Sequence, residues 1–176
     1  MRNKIKTDRL VLRRFAVSDC EALVKFAGHF DVARATAALP HPYTDTDANT
    51  WIEITKDKSG TDHIYAIANM ENECIGCVSL LPRQSHWELG YWLGKPYWKK
   101  GYMREAVAAL LAEARQELAL TAIHACVFID NPRSFALLLS FGFKLTERAS
   151  EFCVARGETV ETNQLTLSYE KEPSYA

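Results

Sequence analysis

The sequence predicts a mixed α/β (α+β) chain, a sheet with helices packed on it, forming a single domain over residues 1–176. Three observations carry this. Apolar runs of strand length come in sets: three in succession over residues 63–93 and two more over residues 144–168. Between these sets, the residues after Gly101 repeat apolar side chains at helical spacing. The strand at Trp87–Leu93 hands over to that helix through a break at Gly94 and Pro96 and a basic turn around Gly101. A chain of 176 residues is long enough to bury a core without covalent staples.

Taken in order, residues 4–15 alternate Ile5, Leu10 and Leu12 with charge and read as one strand ending near Arg13 and Arg14. Ser18 with Glu21 is a capping-box pattern, which starts a helix at Asp19; Leu23, Phe26, Ala27 and Phe30 continue it on one face. Residues 36–50 read as a loop, because Pro40 and Pro42 bias the residues before them away from helix. A second helix then turns Trp51, Ile52 and Thr55 inward. From His63, two apolar runs surround Glu71, Asn72 and Glu73, a hairpin with a polar turn, and residues 82–86 lead into the strand at Trp87–Leu93. In the long helix Ala106, Val107, Leu110, Leu111, Ala114 and Leu118 make the buried stripe, while Glu105, Glu113, Arg115 and Gln116 lie elsewhere. Residues 123–130 are apolar enough for a strand buried on both faces, with His124 a hydrogen-bonded core residue. Asn131, Pro132 and Gly142 suit the N-cap, first position and terminator of another helix. Strands at 144–154 and 158–168 flank Arg156 and Gly157 as a hairpin, and the tail KEPSYA is expected to fray.

Composition narrows the function. A formal net charge of −1 lacks the basic surplus of a nucleic-acid groove. Apolar runs of about 18 residues are absent, and the opening MRNKIKTDRL has charge without an apolar run after it, so neither a membrane span nor a signal peptide is expected and the location is read as cytoplasmic. Five scattered cysteines fit reduced thiols. Cys74 and Cys77 form a CxxC, but residues three apart on a strand point to opposite faces and no second pair completes a site, so no metal is expected. No GxSxG elbow of a hydrolase appears.

The chemistry gathers where the central strand meets the long helix. Lys99, Lys100 and Arg104 surround Gly101, and a helix N-terminus offers unpaired N–H groups and partial positive charge, so this turn is built to receive an anion such as a phosphate. The wording ELGYWL followed by YWKKGYMREAV resembles the acetyl-CoA-binding segment of the GNAT N-acetyltransferases, and most closely the group that includes the ribosomal-protein alanine N-acetyltransferases (RimJ/RimL-like). That group carries a Trp, a basic residue, a Gly and an aromatic here, matched by Trp98, Lys99, Lys100, Gly101, Tyr102 and Met103; Lys99 stands where the group often has Gly, and Met103 where a small residue is usual. The opening TDRLVLRRF and the stretch NPRSFALLLSFGF resemble the same group, so the likeness covers nearly the whole chain.

What the resemblance implies is a mixed, mostly antiparallel sheet of about six or seven strands, splayed in the middle, with helices on both faces. It implies transfer of an acetyl group from acetyl-CoA to a primary amine by direct attack, without a metal. Tyr91, Trp92 and Leu93 would offer backbone groups to the pantetheine arm, with oxyanion donors at Trp92 and Leu93; residues Trp98, Lys99, Lys100, Gly101, Tyr102, Met103 and Arg104 would hold the pyrophosphate. Many relatives place a Tyr acid seven residues after the motif Asn; here that position is Leu138. Ser134, three after Asn131, would instead meet the thiol sulfur, and Asn131 the pantetheine or the reacting carbonyl. Glu88, between aromatic residues that would desolvate it, is the leading base, with a bound water as the alternative. His41 and Tyr43 of the proline-rich loop, with Glu88, would line the acceptor site. The acceptor is a protein N-terminus or a small-molecule amine, and a homodimer through sheet edges or the aromatic surface is left open. The competing reading is a non-catalytic acyl-CoA-binding sensor of the same fold.

Overall fold

The computed structural model describes residues 1–56, 62–83 and 86–169. The expected fraying of KEPSYA and the middle of the turn at 82–86 lie outside the described residues. In chain order come β1 (Lys4–Lys6), β2 (Val11–Arg13), α1 (Cys20–Ala27), α2 (Phe30–Ala33), α3 (Asp45–Lys56), β3 (His63–Ala68), β4 (Cys74–Pro82), β5 (Trp87–Leu93), α4 (Tyr102–Glu117), β6 (Ala122–Phe128), α5 (Pro132–Ser140), β7 (Lys144–Cys153) and β8 (Glu158–Ser168). Among the described residues the sheet has eight strands in the order β1-β2-β3-β4-β5-β6-β8-β7.

The extra strand comes from the first stretch, expected as one strand and found as a hairpin. Thr7 closes the turn: its N–H donates to the Leu10 carbonyl, and its Oγ1 accepts the Leu10 N–H, both at 2.9 Å. Further along, the Ser18 pattern does not make the cap. A short 3-10 turn at Val17–Asp19 precedes α1, and the buried Asp19 carboxylate accepts the Ala16 amide and both guanidinium arms of Arg13 at 2.8 Å each. Phe30 does not continue α1 but opens the separate α2, 44% exposed. The proline-rich loop is also shorter than expected, because Thr44 and Asp47 cap α3 reciprocally and start it at Asp45.

Two cores sandwich the sheet. On one face Val107, Leu110 and Leu111 of α4 and Leu138 of α5 meet Ile67, Val78, Leu89 and Ile123. Truncating one wholly buried Leu of this kind costs about 2–5 kcal/mol, so the apolar stripe of α4 is what seats that helix. Glu113 departs from the expected pattern: it is 2% exposed, and Arg2 neutralises it through its backbone N–H and guanidinium. On the other face α1, α2 and α3 pack Phe26, Val32 and Ile52 against Ile64, Cys77 and Trp92. That second core holds no residue of β6, β7 or β8 among those described. Hence β6, expected to be buried on both faces, has one face open: Ile123, Ala125 and Val127 are buried while His124 and Cys126 are half-buried.

A bulge corrects the reading of the CxxC. Ile67 pairs with Gly76 and Ala68 with Cys74, so Ile75 is the additional residue on β4 and Cys74 and Cys77 share the second core. All five thiols are free, and no group of ligands placed to hold a metal occurs among the described residues. No helix among them is long and apolar enough to cross a membrane.

The feature that positions the site is the β5–β6 junction, the one parallel pairing among the described strands. Only Trp87 with Ile123 and Glu88 with His124 are in register there. Beyond them β5 stays with β4 to Leu93, and β6 stays with β8 to Phe128. The two strands therefore part toward their C-terminal ends.

Candidate active site

The basic turn is held by backbone conformation. Lys99 (φ 62°) and Gly101 (φ 81°) both occupy the left-handed region, where only glycine is unstrained. The structural preference for Gly at the first of these positions is thereby explained, and Lys99 bears the cost of departing from it. Trp98 anchors the turn by donating its indole N–H to the Leu93 carbonyl at 2.7 Å. Lys99, Lys100 and Arg104 remain exposed around the first turn of α4, whereas Met103 packs on the core below.

A residue not singled out from the sequence completes this turn. Arg9, in the β1–β2 turn, donates to the Lys100 carbonyl at 2.9 Å and to the Glu105 carboxylate at 2.7 Å. Its guanidinium lies 4.7 Å from the centre of the Tyr102 ring, and Thr7 adds a hydroxyl bond to Glu105 at 2.6 Å. Glu105 is thus neutralised, which keeps its charge from opposing an anion at the helix N-terminus.

The second part is the edge of β5. Gly94 N–H bonds to the Ile75 carbonyl at 2.8 Å, in the same register that pairs Trp92 with Cys77. Because antiparallel bonding alternates, the amide of Trp92 points to β4, and those of Tyr91 and Leu93 point into the gap toward β6. The Trp92 amide, expected with that of Leu93 as an oxyanion donor, thus faces away from the gap, while the amides of Leu93 and Tyr91 share the open edge.

Across the gap stands the start of α5. Asn131 caps it, its Oδ1 accepting the Ser134 N–H at 3.2 Å. The Ser134 hydroxyl lies 2.7 Å from the Tyr91 hydroxyl, and burial pushes the Tyr91 pKa up to about 12. Leu138, where many relatives have a Tyr, is 1% exposed in the core. The contact of the Tyr91 side chain was not legible in sequence: Tyr91 and Ser134 are 43 residues apart.

At the mouth of the gap, a cleft of about 640 Å³ joins Trp98, Lys99, Asn131 and Arg133 to Arg34 and Arg156. Arg156 and Arg34 both bind the Asp130 carboxylate, at 2.8 and 2.9 Å, and the Arg156 hydrogen bonds first of all hold its pKa below the ordinary value. A second cleft, about 630 Å³, opens on the uncovered sheet face and is lined by Glu88, His86, His124, Cys126 and Glu151 among others. Glu88 is not enclosed by aromatic residues as expected; its side chain is 35% exposed and accepts from Arg83 Nε. Side chains alternate along β5, so it lies on the face opposite Tyr91. Burial, then His86 with its ring centre 4.1 Å away, lowers the pKa of His124.

The proline-rich loop does not reach either cleft. Tyr43 is 8% exposed in the second core, which corrects its reading as a lining residue. His41 is exposed, with Nδ1 2.9 Å from the Gly28 carbonyl and its ring against Phe30.

Residues 9–144 match the acetyltransferase (GNAT) domain. The chain belongs to the GNAT acetyltransferase family. Among its relatives is the uncharacterized N-acetyltransferase YoaA of Bacillus subtilis (strain 168), 26% identical, with 96% of this chain and 98% of that protein covered. Among solved structures, RimL, a ribosomal-protein alpha-N acetyltransferase in complex with coenzyme A, shares the fold at TM-score 0.82 and 18% identity, covering 96% and 99% of the two chains. The microcin self-immunity acetyltransferase MccE, in complex with acetyl-CoA and AMP, does so at TM-score 0.80 and 20% identity, covering 93% and 94%. As a GNAT acetyltransferase the chain is an acetyl-CoA-dependent enzyme. The parted β5 and β6, the turn at Gly101 and the capped start of α5 lie within its matched region.

Proposed function

We propose that this GNAT protein is an N-acetyltransferase that moves the acetyl group of acetyl-CoA to a primary amine by direct attack in the gap between β5 and β6. The observation that carries the proposal is the open edge of β5, where the amides of Tyr91 and Leu93 turn into the gap left by the parted strands while the Tyr91 hydroxyl meets that of Ser134 at 2.7 Å. The chain's residues fit the co-substrate: an open strand edge suits the amides of a pantetheine arm, and the exposed cations and helix N-terminus at Lys99 to Arg104 suit a pyrophosphate.

Each residue then has a role. Leu93 N–H donates to the carbonyl oxygen as negative charge develops on it. As the C–N bond forms and the C–S bond breaks, the electron pair passes to sulfur. Thiols ionise near pH 8.5, so the departing thiolate is a weaker base than a serine alkoxide. Ser134 therefore stabilises it as a hydrogen-bond donor and keeps its own proton; the sulfur takes a different proton, from water, afterwards. Asn131 holds Ser134 in place by capping its amide. The amine's surplus proton passes to a water, which relays it toward Glu88 on the opposite face of the sheet. Proton removal and thiolate departure are thereby kept apart.

For the acceptor, the likeness to RimL supports a protein N-terminus, and a small-molecule amine reaches the same gap. Free thiols support a cytoplasmic setting. The test is calorimetric titration with acetyl-CoA, then release of CoA thiol against a panel of peptide N-termini and small amines. Ser134→Ala is expected to slow transfer about 10- to 100-fold, the range of one hydrogen bond to a charged group, with acetyl-CoA affinity nearly unchanged. Acetyl-CoA that binds but is consumed with no amine would make the chain a sensor.

A further inference from the structure

From the geometry we infer that Tyr91 is a positioning residue for thiolate departure: its hydroxyl donates to Ser134 Oγ and so turns the serine hydrogen toward the sulfur. This rests on the reading of Ser134 given above.

A serine hydroxyl rotates freely and, at the start of a helix, can spend its hydrogen on a nearby carbonyl instead of a ligand. Asn131 fixes the Ser134 amide and says nothing about the hydroxyl. The Tyr91 oxygen is 2.7 Å from Ser134 Oγ and 3.5 Å from the Ser134 carbonyl, so the short contact is with the hydroxyl. Two hydroxyls at that distance share one hydrogen, and whichever donates leaves the other's hydrogen free. A tyrosine whose pKa is pushed up to about 12 keeps its proton at neutral pH. It stands on β5, partly buried and packed against the core under α4, with its reach set by the strand. On the reading above, the serine is the one that meets the sulfur. Negative charge on sulfur therefore draws the Ser134 hydrogen, and Tyr91 supplies the bond that Oγ then accepts. No proton leaves Tyr91 or Ser134 in this step; the C–S electron pair ends on sulfur.

The experiment reads the thiol directly and needs no acceptor. Free CoA is bound to the wild-type protein, Tyr91→Phe, Ser134→Ala and the double variant, and thiolate absorbance is followed against pH with the protein alone as baseline. Tyr91→Phe and Ser134→Ala are each expected to reduce the bound thiolate fraction at fixed alkaline pH about three- to tenfold. The double variant is expected to match Ser134→Ala alone, and CoA affinity at low pH, where the thiol is protonated, to stay the same in all four. If Ser134→Ala acts and Tyr91→Phe does not, or if Tyr91→Phe adds its own effect in the Ser134→Ala background, the role of Tyr91 is overturned while that of Ser134 stands. If neither variant moves the titration, or CoA does not bind, the reading of Ser134 falls and the Tyr91 role falls with it.

Discussion

Gly101→Ala tests the basic turn most directly. Gly101 sits at φ 81°, and an added Cβ would meet Arg9 Nη2 at 3.3 Å. Placing an L side chain in the left-handed region costs roughly 1–2 kcal/mol. The alanine also restricts the unfolded chain, which offsets about 0.4–1 kcal/mol of that. The Arg9 contact adds little by itself, because a guanidinium at the end of a flexible side chain can swing away, though in doing so it loosens the bonds to Lys100 and Glu105. The net expectation is about 1 kcal/mol of destabilisation, which for a chain of this size lowers Tm by roughly 2–4 °C. The larger effect falls on the ligand. If this turn holds the pyrophosphate as proposed, the methyl group crowds the approach to the first N–H groups of α4, and one lost hydrogen bond to a charged group weakens binding by about 10- to 100-fold. Scanning calorimetry reads the first quantity and calorimetric titration with acetyl-CoA the second. A variant whose Tm and acetyl-CoA affinity both equal the wild type would refute the assignment of this turn.

Other perturbations probe the same frame from different sides. Lys99→Gly relieves the strain at φ 62°, but glycine also loosens the unfolded chain, so stability is expected to change by less than about 1 kcal/mol; acetyl-CoA binding should weaken and its salt dependence flatten as one charge is lost, and an unaltered salt dependence would remove Lys99 from the phosphate site. Arg9→Ala leaves Glu105 partly buried without its ion pair, so thermal stability should fall by about 1–2 kcal/mol, and Glu105→Gln added to it should recover acetyl-CoA affinity; failure of that rescue would mean that Arg9 does not act through Glu105. Asp130 has its pKa lowered in the folded state by Arg156 and Arg34, so its contribution is present above the unfolded value near 3.9 and is lost as pH falls below it through the folded value. Asp130→Asn should therefore be less stable than wild type at neutral pH and converge with it in acid denaturation curves; curves that stay parallel through that window would exclude this pair as a source of the pH dependence.

Several elements could be read from the chain alone because their signals are local. The stripe from Ala106 to Ala114 specifies α4 through spacing, Asn131 and Gly142 punctuate α5, and the polar turn at Asn72 marks a hairpin in which that residue takes up φ 65°. Where the reading missed, a specific side-chain or register pairing decided that residue type and spacing do not announce. Thr7 bends the first stretch into two strands, Asp19 binds the Ala16 amide and Arg13 at a 3-10 turn ahead of α1 where a Ser18 cap was expected, and the bulge at Ile75 turns Cys74 to the same side as Cys77. Tyr43 was offered as a lining residue, yet it is buried, since a proline-rich loop betrays nothing about which way its aromatic side chain points.

By itself, then, the sequence determined the order of strands and helices from α3 onward, the family likeness, and the placing of Lys99, Gly101, Asn131 and Ser134 at the ends of helices. These follow from interactions between neighbours along the chain, whose energies are set by residue type and spacing. Tertiary structure alone decided which β5 amides face the gap, that Tyr91 meets Ser134, that Arg9 braces the basic turn, and that Glu88 opens on the far face. Each of these is a contact between segments tens of residues apart. Whether such groups meet depends on strand register and helix seating, which the packing of the whole sheet sets.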